Sequence, residues 1–164
     1  MKKLNSILKL SAFLLFVVLL ASCKKDKDPY ASYTPEREAS LIKEWLAGVK
    51  SAKLPLDSTA TGIYYIADTT AIGTGPTVKA GNTVTVKYVG SYIDGIVFDS
   101  SSSMTYKHKY DSLIQGWEEG IEVLNKGSRA TFLIPSAKAY GSTGNNSIPP
   151  NTPLLFVIEV VDIK

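Results

Sequence analysis

At 164 residues the chain can hold one domain with a proper core and a tail, and its 45% apolar and 20% charged residues are ordinary for a globular protein. The formal net charge of +3 belongs to the N-terminus: Lys2, Lys3 and Lys9 are three of the 18 basic residues, and none of the 15 acidic ones lies in residues 1–22. The rest of the chain is balanced, so nothing in it draws nucleic acid from a distance. One cysteine excludes an internal disulfide, and one histidine with no His/Cys cluster argues against a transition-metal site.

Lys2, Lys3 and Lys9 precede an unbroken apolar or small run from Leu10 to Ala21. A basic start, a short apolar run and small residues make a secretory signal over residues 1–22. The run is shorter than the roughly 20 residues a membrane-spanning helix needs. Leu20-Ala21-Ser22-Cys23 resembles the bacterial lipobox, which implies cleavage before Cys23 and its acylation. The expectation is a lipid-anchored protein of the cell envelope, in the outer membrane, on its periplasmic face or at the cell surface. An exported protein with an idle cysteine, or an uncleaved signal anchor, is the alternative.

Residues 23–33 are polar, aperiodic and rich in charge, which reads as a linker. Thr34-Pro35-Glu36 then marks a helix start: Thr34 can cap, Pro35 suits the first helical position, and Glu36 and Glu38 suit the positive end of the dipole. Leu41, Ile42, Trp45, Leu46 and Val49 recur at helical spacing. The spacing predicts one amphipathic helix over residues 34–53, outside the main domain or packed on its side, with Trp45 in packing or in a partner contact.

Residues 54–164 have the texture of strands. Gly62 to Ala67 is β-branched and aromatic, and Val84, Val86 and Tyr88 alternate with Thr83, Thr85 and Lys87. Asp94-Gly95 between Ser91-Tyr92-Ile93 and Ile96-Val97-Phe98 predicts a hairpin. Ser100 to Ser103 reads as a loop, and His108, between two lysines, as a surface residue. A short helix around "LIQGWEEGI" is closed by Asn125-Lys126-Gly127. Arg129 to Ile134 is a strand stopped by Pro135, and Leu154 to Ile163 is apolar enough for a central strand. Many strands and one short helix predict an α+β fold, an antiparallel sheet wrapped on that helix.

Familiar chemistry is missing. A triad hydrolase needs a histidine between nucleophile and acid. Gly73-Thr74-Gly75-Pro76 lacks the lysine and the following helix of a phosphate loop. Rotation about a peptide bond is one of the few reactions that need no nucleophile, metal or cofactor. Three blocks then carry a resemblance: "VTVKYVGSYIDGIVFDSS", "LIQGWEEGIEVLNKGSRATFLIPSAKAYG" and "IPPNTPLLFVIEVVDI" are similar, in order, to the FKBP family of peptidyl-prolyl cis–trans isomerases.

That resemblance implies a curved antiparallel sheet around one short helix and an aromatic cup for proline. Catalytic positions carried over from it are Tyr88, Phe98, Asp99, Trp117, Tyr140 and Phe156. Met104, Leu113, Ile114 and Ile148 become substrate-binding positions. The Tyr140 hydroxyl and the Ile148 amide are the donors it suggests, with Asp99 orienting rather than acting as a base. Gly116 and Gly120 flank Trp117 so that backbone can pass close to it and its face can stay open. Three departures bear on tuning: Met104 stands where an aromatic wall is usual, the serine run is short, and Asn145 replaces a frequent histidine. Implied partners are proline-containing, unfolded or partly folded exported polypeptides, with no cofactor and no nucleic acid. The segment from Tyr33 to Val49 is too short for a long dimerisation arm, so a monomer is expected. A binding or chaperone module using the same cup without turnover is the rival reading.

Overall fold

The computed structural model describes residues 31–164; the signal and Cys23 readings lie outside them. Pro35–Ser51 is the N-terminal helix. Thr34 Oγ1 accepts the Arg37 N–H at 3.3 Å, Pro35 occupies the first turn, and Glu36 and Glu38 complement the dipole. This helix belongs to one compact unit with everything from Ser32 to Lys164. Val49 is its buried residue, while Trp45 is only half-buried.

Eight strands follow: β1 (Leu56–Ser58), β2 (Tyr64–Ala67), β3 (Thr74–Thr77), β4 (Thr83–Tyr92), β5 (Val97–Lys107), β6 (Asn125–Lys126), β7 (Arg129–Ile134) and β8 (Leu154–Ile163). Six form a curved antiparallel sheet in the order β1-β2-β7-β8-β4-β5, and β3 pairs with β6. β8 lies between β7 and β4, and its burial alternates: Leu154, Phe156, Ile158 and Val160 are buried, whereas Val157 and Val161 are exposed. The β4–β5 hairpin turns at Gly95, whose φ of +88° suits glycine, and Asp94 Oδ1 accepts the Ile96 N–H at 3.0 Å.

A short helix, Gln115–Gly120, packs on the sheet through β7. Its glycines explain how close it comes. A Cβ at Gly116 would collide with the Ile134 side chain, and one at Gly120 would stand 3.0 Å from the Phe132 ring. The glycines therefore serve the contact with β7, as well as the neighbourhood of Trp117. Ile63, Val84, Val86, Ile121, Phe132 and Ile158 are fully buried around this junction.

Three sequence expectations are corrected. Ser100 to Ser103 belongs to β5 and not to a loop: Ser100 pairs with Val89 and Ser101 with Tyr88, with a register shift between Val86 and Tyr88. Asn125-Lys126-Gly127 does not end the short helix. That helix stops at Gly120 and passes into a 3₁₀ turn, Ile121–Val123, and Asn125 and Lys126 form β6. His108 is not a surface residue; it is fully buried against two glutamates.

Candidate functional site

A cavity of about 480 Å³ opens where β4, β5, β8 and the short helix meet. That is the size of a small-molecule or peptide side-chain site. Trp117 is buried, yet its indole still reaches the cavity wall. Two rings meet it edge to face: Tyr88 at 5.1 Å and 84°, and Phe156 at 5.3 Å and 89°. Such pairs add about 0.5–1.5 kcal/mol each beyond burial. The indole is also tethered at its far side, because Nε1–H donates to the Tyr106 hydroxyl at 3.0 Å. Burial holds the Tyr106 phenol well above its ordinary pKa, so it stays neutral.

Asp99 supplies the carboxylate on the wall. The Tyr88 hydroxyl donates to its Oδ2 at 2.7 Å. Burial, then that bond to Asp99, push the Tyr88 phenol up to about 12. The Tyr88 hydroxyl therefore keeps its proton, and its hydrogen bond to Asp99, throughout neutral pH. Met104, Leu113, Ile114 and Tyr140 complete the wall, with Ala139 beside Tyr140. The Ile114 carbonyl accepts the Trp117 and Glu118 amides at 3.0 and 3.2 Å and so starts the short helix. The Ile114 amide itself meets no acceptor among the described residues.

Two of the ten expected positions, Phe98 and Ile148, are not among the residues that line the cavity. Phe98 packs edge to face on Phe156 at 5.6 Å and against Tyr92 at 5.3 Å. Ile148 is buried, and its amide, expected to be offered to a substrate, donates to Asn145 Oδ1 at 2.7 Å. Asn145 thus spends its side chain inside the loop, also taking the Ser147 N–H at 2.8 Å.

Sequence reasoning missed Gly90 and Tyr106. A Cβ at Gly90 would sit 2.8–2.9 Å from the rings of Phe156 and Phe98, so glycine makes room for both. Tyr106 could have been found from alternation: Met104, Tyr106 and His108 are two apart and point to one side.

The family model described as FKBP-type peptidyl-prolyl cis-trans isomerase matches residues 75–161, more than half of the chain. The chain belongs to the FKBP family. It is 34% identical over 157 residues to the FKBP-type peptidyl-prolyl cis-trans isomerase FkpA of Escherichia coli K12, an alignment covering 94% of this chain and 55% of that protein. The crystal structure of FkpA from Escherichia coli superposes with a TM-score of 0.70 at 32% identity, covering 95% of this chain and 70% of that one. The peptidyl-prolyl cis-trans isomerase from Pseudomonas syringae pv. tomato gives 0.68 at 34% identity, covering 80% of this chain and 96% of that one. This FKBP chain thus spans little more than half the length of FkpA. Its curved sheet and short helix are the fold the resemblance implied.

Proposed function

We propose that this FKBP chain accelerates cis–trans isomerisation of X-Pro bonds in unfolded or partly folded exported polypeptides. It works without a cofactor, as a monomer, held to the cell envelope through acylated Cys23. The observation that carries the reading is the cavity itself, in which the Tyr88 and Phe156 rings each stand nearly perpendicular to Trp117 beside one carboxylate. A pyrrolidine ring suits such a cup. The anchor rests on the Leu20-Ala21-Ser22-Cys23 sequence, and the monomer on the 17-residue length of the N-terminal helix.

The barrier to X-Pro rotation is about 20 kcal/mol and derives from the partial double bond of the amide. Charge separation in the planar amide is stabilised by water. An aromatic cavity removes that hydration and favours the twisted form, which is less charge-separated. A millionfold gain requires about 8 kcal/mol of selective stabilisation. Two donors on the wall can hold the carbonyls on either side of the turning bond: the Tyr140 hydroxyl and the Ile114 amide. The latter takes the role first expected of Ile148, whose amide is committed to Asn145. No proton has to move, so Asp99 acts through Tyr88 as an orienting charge.

The test follows exchange of a short X-Pro peptide by NMR with the detergent-extracted chain, and with Trp117→Ala and Tyr140→Phe. Acceleration lost in both variants supports the isomerase. Saturable binding with unaccelerated exchange overturns it in favour of a proline-binding module.

A further inference from the structure

Two walls of the cavity come from segments well apart in sequence: Leu113, Ile114 and Gln115 stand at the entry to the short helix, and Ala139 and Tyr140 follow the 3₁₀ turn Ser136–Lys138. Glu119, one turn along that helix, reaches both. Its Oε1 accepts a hydrogen bond from Gln115 Nε2 at 2.6 Å and another from Lys138 Nζ at 2.9 Å. The Glu119 side chain is 15% exposed and that of Lys138 25%, so the pair sits under cover. Backbone comes close at the same place: a Cβ at Gly116 would stand 3.2 Å from the Lys138 carbonyl oxygen. Among the described residues, no other hydrogen bond joins these two segments.

An ion pair at a surface contributes little, and one under cover often does no better than apolar residues of the same volume. Stability alone is therefore a weak account of Glu119. Placement is a better one. Gln115 directly follows Ile114, and Lys138 stands two residues before Tyr140. One carboxylate oxygen thus connects the segments that carry the Ile114 amide and the Tyr140 hydroxyl, the two donors of the isomerase reading. Neither segment is stiff by itself: the helix has six residues, two of them glycine, and the turn has three. Donors serve a turning bond only when they meet it together, and a misplacement of about 1 Å can cost about a hundredfold in rate.

We propose that Glu119 is a positioning residue: held between Gln115 and Lys138, it sets the spacing between the Ile114 amide and the Tyr140 hydroxyl, so that both donors face one X-Pro unit. The kinetic consequence rests on the isomerase reading; the spacing does not.

The test uses the full chain in detergent, with Glu119→Ala, the conservative Glu119→Gln, and Lys138→Met. The first readout is structural. Lys138→Met should shift the NMR signals of both the Ile114 amide and the Tyr140 ring, although Lys138 bonds to neither residue. An unmoved Ile114 amide overturns the proposal. The second readout is kinetic, with a short X-Pro peptide. Glu119→Ala should lower kcat about tenfold while KM changes by about twofold at most, and Glu119→Gln should recover most of the loss. A lowered melting temperature with unchanged kcat per folded molecule is what a merely structural role would give, and it overturns the proposal. Adding Lys138→Met to Glu119→Ala should cost nothing further, because Lys138 acts through Glu119; additive losses overturn it. If Glu119→Ala fails to fold, Lys138→Met and Glu119→Gln supply the same comparison. If the wild type accelerates nothing, the isomerase reading falls, yet the NMR shifts in Lys138→Met still decide whether Glu119 sets the spacing.

Discussion

Replacing Glu38 by alanine should undock the N-terminal helix at one defined point. Glu38 Oε1 accepts the Ser136 N–H and Oε2 accepts the Ser136 hydroxyl, both at 2.6 Å, across 98 residues of sequence. Ser136 is buried, so it has little water to fall back on. A hydrogen bond to a charged group contributes about 1.5–3 kcal/mol net. The two bonds share one carboxylate that is partly exposed, so their sum should sit near the lower end. We expect Glu38→Ala to cost about 2–3 kcal/mol. Ser136→Ala keeps the amide bond and should cost about 1 kcal/mol. The double variant should reveal coupling of about 1 kcal/mol, because the two residues touch.

The consequence reaches the cavity. The Ser136 carbonyl accepts the Ala139 and Gly141 amides, both at 2.8 Å, so the turn that carries Tyr140 starts at the residue Glu38 holds. Asn151 ties the same turn to the start of the helix: its amide donates to the Gly141 carbonyl at 2.9 Å, and its Nδ2 donates to the Tyr33 carbonyl at 2.8 Å. Urea denaturation gives the global cost, and amide exchange at Ser136 and Gly141 gives the local one. In Glu38→Ala both amides should exchange faster than global unfolding accounts for. A variant within about 0.5 kcal/mol of wild type, the ordinary range for surface changes, with unaltered exchange, would refute this reasoning.

Glycines give an opposed pair. Gly116→Ala should destabilise by about 1–3 kcal/mol by thrusting a methyl group into Ile134, whereas Gly48→Ala in the N-terminal helix, where a Cβ meets nothing within 4 Å, should stabilise by about 0.5–1 kcal/mol; thermal denaturation of both checks the signs. For Tyr88 the folded pKa is raised to about 12, so the contribution of its bond to Asp99 is fully present below the ordinary value near 10 and lost as pH rises through 12. Ultraviolet titration should show a tyrosine ionising near 12 that disappears in Tyr88→Phe.

Much of this is legible in the sequence, and the parts that are not share a cause. The β4–β5 hairpin is written locally, in Asp94-Gly95 and the alternation on either side. So is β8, whose β-branched and apolar run marks a strand, although only alternate residues of it, Leu154, Phe156, Ile158 and Val160, are buried. Ser100 to Ser103 could not be read this way. Serine has no strong preference for a strand, and its extended state comes from pairing with Tyr88 and Val89, residues that a local window treats as unrelated. His108 failed in the same manner. Two lysines beside it spell a surface, while the two glutamates that surround it arrive from 10 and 14 residues away through the helical turn. The ring positions Tyr88, Trp117 and Phe156 came from the family resemblance, whose motifs mark them; composition and spacing alone would have left Trp117 a core residue. The parts that aim those rings did not: Gly90 is visible only as an absence of volume between Phe98 and Phe156, and Tyr106 only as the hydroxyl behind an indole. The same division holds for the donors. A backbone amide has no sequence signature, so whether Ile114 or Ile148 faces the cavity depends on which carbonyl or side chain has already claimed each N–H. In this chain Asn145 has claimed that of Ile148. The side chains that form a site are thus easier to read from sequence than the groups that orient them, because the former are chosen for what they are and the latter for what they leave free.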